Sequence, residues 1–137
     1  MAIGPYFADL CKSIGASMIA DQSKTQLIVH TDATVTSRGV SVSLGLIVTE
    51  LVINCLKHAF PDSAENGRIE VDYRATPTGW ALSVTDNGVG MTEQDPAKSG
   101  LGTGIVNALA NQLHAEVTVM DNGPGTRVTV VHTDAAA

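Results

Sequence analysis

Apolar residues recur along the chain with spacings that predict a succession of helices and strands. Between residues 6 and 20 they return every three or four positions, which is typical of an amphipathic helix, with Pro5 near its start. Residues 27–30 form a short apolar run that predicts a strand. A turn at 31–33 and a short second strand near 34–36 are expected to follow.

The long apolar run 42–60 predicts a second helix, which should end at Phe60 because Pro61 cannot continue it. Its polar exceptions fall within a narrow arc at about 100° per residue. They are Ser43, Glu50, Asn54 and Lys57, with His58 beside them. A helix that is apolar almost all round is normally buried, so this stripe either faces solvent or lines a polar ligand site. The helix alone leaves both interpretations open.

The second half of the chain predicts four strands and one helix. Residues 68–75 and 80–86 alternate apolar and polar positions on either side of a Pro-Thr-Gly turn, as in a β-hairpin. A helix is expected from Gly100 to about Leu113, followed by strands at 116–120 and 127–132. The order α-β-β-α-β-β-α-β-β predicts an α+β fold, with helices on one face of a mixed, mainly antiparallel sheet.

Composition narrows the possible partners. The 137 residues suit one domain, expected to span 1–137 with residues 1–5 and 134–137 frayed, and 44% are hydrophobic. A net charge of −6 offers no general attraction for nucleic acid or an anionic membrane, so an anion must be bound locally. Cys11 and Cys55 are expected to be reduced, buried thiols. The lack of a membrane-span or signal-peptide pattern predicts a cytoplasmic location.

Asp86 is followed by alternating glycines, Gly88 and Gly90, directly after the strand 80–86. A simple Asn-Gly turn is the plainer interpretation. However, no return strand follows at once, and glycines permit a ligand to approach the backbone closely. An aspartate here could accept a hydrogen bond from an exocyclic amine such as that of adenine.

A second glycine run, Gly100, Gly102 and Gly104, precedes a helix. Backbone N–H groups at a helix N-terminus bind anions, although a flexible loop is the alternative interpretation. The spacing matches neither a Walker phosphate loop nor a dinucleotide fingerprint. His30, His114 and His132 are expected to be structural or exposed, and no histidine spacing favours a zinc site or a nucleophilic triad.

Taken in this order, the three stretches and the closing Gly125-Thr126 resemble the ATP-binding family that joins gyrase, Hsp90, histidine kinases and MutL. The residues in these stretches are most similar to those of histidine kinases of the HWE-like subfamily. The resemblance runs from residue 44 to residue 128 and more loosely back to Tyr6. It implies the two-layer α/β sandwich called the Bergerat ATP-binding fold.

The resemblance also implies roles for individual residues. Asn54 would ligate Mg²⁺, and Glu50 could orient or deprotonate a nucleophile as the catalytic residue. Asp86 would accept from the adenine amine, with Thr126 supporting the same edge of the base. The remaining ATP contacts would come from Lys57, His58, Gly88, Gly90, Met91, Gly100, Leu101, Gly102, Thr103 and Gly104. Residues 92–99 would form a short lid, in which Lys98 has no definite role.

The family's complete kinases also contain a helical hairpin that carries the phospho-accepting histidine, and the chain has no such hairpin. The resemblance therefore implies a catalytic domain that donates the γ-phosphoryl group of ATP to a histidine on a separate dimerisation domain. A response regulator would be an indirect partner in two-component signalling. Two alternatives are an anti-sigma-factor-type serine kinase and a non-catalytic nucleotide-binding docking module.

Overall fold

The computed structural model describes residues 2–18, 25–32, 34–55, 67–87, 103–121 and 125–133. Three helices lie in these ranges: α1 (Ile3–Met18), α2 (Arg38–Asn54) and α3 (Thr103–Gln112). Five strands accompany them: β1 (Thr25–Thr31), β2 (Gly67–Thr76), β3 (Gly79–Asp86), β4 (Ala115–Asp121) and β5 (Thr126–Thr133). No helix in these ranges is long and apolar enough to cross a membrane.

The five strands form one sheet in the order β1-β2-β3-β5-β4. β1 pairs with β2 in parallel, and the other three pairs are antiparallel. The hairpin of β2 and β3 closes at Thr76 and Gly79, which face each other across a two-residue turn. The predicted mixed, mainly antiparallel sheet is therefore confirmed.

One face of the sheet carries the core. Alternate residues of β2 and β3 are buried against the helices, as their period-two pattern predicts. Helix α2 contacts both α1 and α3 and reaches β3, while α1 packs on β1 and α3 on β4. The buried apolar side chains are Ile3, Phe7, Cys11, Ile14, Leu44, Ile47, Val48, Leu51, Val52, Ile69, Val71, Tyr73, Trp80, Leu82, Val84, Val106, Ala110 and Val130.

A row of aromatic rings runs from α1 across the sheet to β5. Phe7 meets Tyr73 edge-on at 6.0 Å between ring centroids, Tyr73 stacks on Trp80 at 6.1 Å, and Trp80 stacks on His132 at 5.7 Å. Such aromatic pairs add stability beyond the area they bury. The ring of His132 thus has a packing role, in agreement with the structural role expected from its place in a strand.

The beginning of the chain is more ordered than expected. Residues 1–5 were expected to fray, but α1 begins at Ile3, whose side chain is fully buried. The predicted strand at 34–36 is reduced to one bridge, between Val35 and Ala2. Burial of Ile3 in the core and this bridge hold the terminus in place. The expectation for residues 134–137 lies outside the described residues.

Helix α2 begins earlier than the apolar run suggested and is not buried all round. Ser37 caps its N-terminus by accepting a hydrogen bond from the Val40 N–H at 3.3 Å. Val42 and Leu46 on its outer side are 44% and 49% exposed. The helix lies in a single layer over the sheet, so only its inner side is covered. Its predicted end at Phe60 lies outside the described residues.

Candidate functional site

The C-terminal end of α2 meets the adjoining ends of β3 and β5. Asn54 is the last residue of α2, and Cys55 is its C-cap. Asp86 ends β3 and Thr126 begins β5. The thiol of Cys55 donates a hydrogen bond to Asp86 Oδ2, with 3.4 Å between sulfur and oxygen. Residues from three elements, far apart in sequence, thus come together here.

Asp86 is a buried carboxylate, with only 4% of its surface exposed. Its position follows from the alternation of β3, because it continues the row of Leu82 and Val84 on the core face. Burying a carboxylate is costly unless it has hydrogen-bond partners. The thiol of Cys55 is one such partner, and the geometry leaves the carboxylate at the edge of the core, where a ligand's donor could be recognised.

Asn87 fixes the strand end that carries Asp86. Its side-chain Oδ1 accepts from the backbone N–H of Arg68 at 2.7 Å, and its own N–H donates to the Arg68 carbonyl at 3.1 Å. Asn87 is thus tied to the start of β2. Because these contacts hold the backbone just after Asp86, they position that carboxylate, whatever conformation follows at Gly88.

Gly125 brings β5 against the end of β3. Its φ is +103°, in the region that side chains rarely adopt, and a Cβ atom there would lie 1.9 Å from the Asp86 carbonyl oxygen. Only glycine fits so close an approach. The next residue, Thr126, therefore starts β5 beside Asp86.

The hydroxyl of Thr126 is buried and has no hydrogen-bond partner among the described residues. Pairing of Val84 with Val128 and Leu82 with Val130 puts Thr126 on the same face as Asp86. A buried hydroxyl without a partner loses about 1–3 kcal/mol of solvation that nothing in the protein restores. A ligand beside Asp86 that reached this hydroxyl would restore it, so the pair suits a ligand with hydrogen-bonding groups.

Glu50 and Asn54 lie one turn apart near the end of α2, and both are half-buried. Asn54 directly precedes Cys55, whose thiol contacts Asp86. The described part of the polar stripe is therefore partly covered by the protein and ends close in sequence to that contact. Its role in lining a ligand site stays a prediction.

Helix α3, at whose start phosphate contacts are predicted, packs against α2. Thr103 is its first residue, as expected for a helix opened by the second glycine run. Gly104 is exposed, and among the described residues no atom lies within 4 Å of a Cβ atom placed there.

Several predicted site residues lie outside the described ranges. They are Lys57, His58, Gly88, Gly90, Met91, Gly100, Leu101 and Gly102, together with the lid at 92–99 and the side chain of Thr103. Their roles stay predictions. Among the predicted residues that are described, Asp86 and Thr126 adjoin each other, and Glu50 and Asn54 share the neighbouring end of α2.

The hydrogen bond of Cys55 to Asp86 is the contact that the sequence interpretation missed. Cys55 was expected to be a buried thiol; it is half-buried and packs against the core, and it donates to Asp86. Its place directly after Asn54 was the available signal, since the last turn of a helix can present several side chains to a site at its end. Cys11, by contrast, is buried as expected.

The described histidines other than His132 have local roles in keeping with expectation. His30 Nε2 lies 3.4 Å from the Glu70 carboxylate on the exposed side of the sheet. The backbone of His114 turns with φ of 55° between α3 and β4, and its carbonyl lies 3.2 Å from His132 Nδ1. These contacts suit connections between strands and helices.

Comparison with known proteins agrees with this geometry. Residues 39–136 match the family described as histidine kinase-, DNA gyrase B-, and HSP90-like ATPase. This match covers more than half of the chain and includes α2 from its second residue, both predicted glycine stretches and Gly125-Thr126. The chain therefore belongs to this family of ATP-binding domains.

Its relatives are histidine kinases. Blue-light-activated histidine kinase 2 of Erythrobacter litoralis is 37% identical over 91 residues, which are 64% of this chain and 26% of that protein. The solved structure of a blue-light-activated histidine kinase from Erythrobacter litoralis superposes with a TM-score of 0.84 at 27% identity, covering 95% of this chain and 41% of that one. The chain is thus similar to part of these histidine kinases and spans less than half of their length.

A histidine kinase of Acinetobacter baumannii shows how far the fold extends. It superposes over 98% of this chain and 66% of its own with a TM-score of 0.76, at 19% identity. At that identity the likeness concerns the fold alone. Together with the sheet order, it confirms the predicted two-layer α+β sandwich of the Bergerat type.

Proposed function

We propose that this domain binds Mg·ATP and donates the γ-phosphoryl group to a histidine on a separate dimerisation domain of its parent protein. The observation that carries the proposal is the pairing of a buried carboxylate, Asp86, with a buried hydroxyl, Thr126, that lacks a partner among the described residues. Asp86 would accept from the adenine amine, and Thr126 would bond the same edge of the base, directly or through water.

The donor set at the end of α2 fits a magnesium ion held together with a triphosphate. The half-buried Asn54 offers an amide oxygen, the hard type of ligand that Mg²⁺ prefers, and such sites often use one or two protein ligands plus phosphate oxygens. When bound, the ion would neutralise negative charge that an acidic chain cannot. Lys57 and the glycines before α3 would add donors for the phosphates.

In the transfer, an imidazole nitrogen of the acceptor would form a bond to the γ-phosphorus as the bond to the bridging oxygen breaks and ADP leaves. This chemistry depends mainly on position and charge. Glu50, one turn before Asn54 and half-buried, could orient the acceptor imidazole or take its proton. A response regulator would receive the phosphoryl group from the acceptor histidine, and cytoplasmic ATP would be the source.

Nucleotide titration tests the binding half of the proposal. Calorimetry with a non-hydrolysable ATP analogue should show tighter binding with Mg²⁺ than without it. Asn54→Ala should abolish that difference, because the amide ligand is lost. If the variant kept the full Mg²⁺ dependence, the metal role of Asn54 would be wrong.

Phosphoryl transfer tests the other half. The domain is mixed with ATP and the parent protein's separately produced dimerisation domain, and the product is analysed for acid-labile, base-stable phosphohistidine. Acid-stable phosphoserine on a partner would favour the serine-kinase alternative. Binding of ATP without transfer to any partner, also when the two domains are fused, would favour the docking module.

A further inference from the structure

The two cysteines of the chain lie in very different surroundings. Cys11 is buried in α1, and burial raises the pKa of its thiol to about 11. Cys55 is half-buried at the end of α2, where part of its surface is open to solvent. Because the thiolate is the reactive form and must be reached by a reagent, Cys11 should be inert and Cys55 accessible.

The sulfur of Cys55 lies directly against the carboxylate that would recognise adenine. Its distance to Asp86 Oδ2 is 3.4 Å, a contact that fits an S–H donor. A group attached to this sulfur must therefore occupy space beside Asp86. The repulsion of a second negative charge next to the carboxylate should make the thiol react more slowly than an exposed one.

An independent observation shows that this space suits a ligand. Thr126 is only 9% exposed, and it lies on the same sheet face as Asp86. Its hydroxyl has no hydrogen-bond partner in the described part of the chain. The carboxylate and the hydroxyl thus lie on one sheet face, and Cys55 contacts the carboxylate.

We propose that Cys55 is a covalent modification site for soft electrophiles, such as maleimides and α,β-unsaturated carbonyls, and that its modification blocks nucleotide binding. This inference rests on the proposed function, since it takes Asp86 and Thr126 to be the adenine site. In the reaction the sulfur forms a bond to one alkene carbon, the carbon–carbon π bond breaks, and the thiol proton ends on the other carbon. No other reactant is needed.

The experiment uses the full chain and N-ethylmaleimide near neutral pH. Intact mass and peptide mapping should show one adduct, on Cys55. The labelled protein should bind a Mg·ATP analogue about tenfold more weakly or worse, because the Asp86 contact is lost or obstructed. The same analogue, added first, should slow labelling in proportion to its occupancy. Labelled protein that binds as tightly as the unlabelled protein would overturn the proposal, as would labelling that the analogue does not slow.

Variants of the two cysteines supply the matched controls. Cys11→Ala should label and lose nucleotide binding as the native chain does. Cys55→Ala should acquire no adduct, and its affinity, whatever its starting value, should be the same before and after treatment. If Cys55→Ala fails to fold, Cys55→Ser serves the same purpose because a hydroxyl does not react. Loss of binding on treatment of either Cys55 variant would assign the effect to another residue and contradict the proposal.

A third variant examines the contact itself. Asp86→Asn removes the negative charge beside the sulfur, so Cys55 should label several-fold faster than in the native chain. An unchanged rate would contradict the thiol–carboxylate contact on which the proposal stands. Failure of the underlying function is distinct: the unlabelled native chain would then bind no ATP analogue at all, and both proposals would fall together.

Discussion

Two aspartates lie at the C-terminal ends of strands at opposite ends of the sheet, and their surroundings differ. Asp32 directly follows β1, next to the end of β2, whereas Asp86 ends β3 next to the start of β2. Asp32 is exposed and accepts from the N–H groups of Thr34 at 2.9 Å and Ala75 at 2.6 Å, as well as from the Thr34 hydroxyl. Asp86 is buried beside a thiol and faces a hydroxyl without a protein partner among the described residues.

The difference lies in the polar groups beside each carboxylate. At Asp32 the protein's own backbone supplies donors to both oxygens, so the side chain ties a turn to β2. On the same sheet face as Asp86, the Thr126 hydroxyl has no hydrogen-bond partner in the described part of the chain. Buried polar groups usually have partners in the protein, so a buried hydroxyl without one is typical of a ligand site.

The largest expected effect separates the two aspartates by nucleotide affinity. Asp86→Asn should weaken binding of an ATP analogue by about 1.5–3 kcal/mol, roughly a ten- to hundredfold rise in Kd, since a hydrogen bond to a charged acceptor is lost. Calorimetry on the purified domain measures this. The control is Asp32→Asn, which should bind as the native chain does. Equal Kd values for native and Asp86→Asn proteins would show that adenine is recognised elsewhere.

Thr126→Val removes the Thr126 hydroxyl by a nearly isosteric change. Because the hydroxyl has no protein partner in the described residues, its removal should leave the free energy of unfolding unchanged or slightly higher. Nucleotide affinity should fall by about 0.5–1.5 kcal/mol, the value of a neutral hydrogen bond. Thermal unfolding and calorimetry on the same sample give both values. A marked loss of stability with intact affinity would make the hydroxyl structural and reverse the comparison.

Asp32→Asn should give the opposite pattern, with lower stability and unchanged affinity. One acceptor oxygen becomes an amide donor that faces an N–H or hydroxyl group, so at least one hydrogen bond is lost. The free energy of unfolding should fall by about 0.5–1.5 kcal/mol, measured by urea unfolding. Unchanged stability would mean that solvent replaces these hydrogen bonds at no cost.

The smallest effect concerns acid. The hydrogen bond from the Thr34 hydroxyl, and then that from the Ala75 N–H, hold the pKa of Asp32 below its usual value. Because the pKa of Asp32 is lower in the folded state, its carboxylate contributes fully to the free energy of unfolding above the pKa of the unfolded state, about 3.9. That contribution is lost as the pH falls through the pKa of the folded state. Native and Asp32→Asn stabilities should therefore converge as the pH drops below about 4. A constant difference down to pH 2 would contradict this account.

Much of the fold could be predicted because its signals are local. The alternation in β2 and β3, the hairpin turn between them and the period of α1 each depend on neighbouring residues alone. The predicted strand at 34–36 was wrong in extent, because only Val35 finds a partner, and that partner is Ala2 at the other end of α1. Pairing over such a separation leaves little trace in either segment.

The site was predicted in part for the same reason. Asp86, Thr126, Glu50 and Asn54 stand in recognisable stretches, so their types and order identified the family before any geometry was known. The contact of Cys55 with Asp86 was not predicted, although Cys55 packs against the core as expected. The rotation of α2 about its axis decides what this side chain contacts, and that rotation depends on packing against the sheet and the other helices.

Hydrophobic period and motif spacing are properties of the chain, so the order of helices and strands, the mixed sheet and the family could be predicted from them. Three facts required the folded structure: Gly125 must contact the Asp86 carbonyl, the Thr126 hydroxyl lacks a protein partner among the described residues, and the Cys55 thiol contacts the Asp86 carboxylate. The two contacts join segments that lie 39 and 31 residues apart along the chain. Burial and hydrogen-bond satisfaction exist only once those segments are packed together.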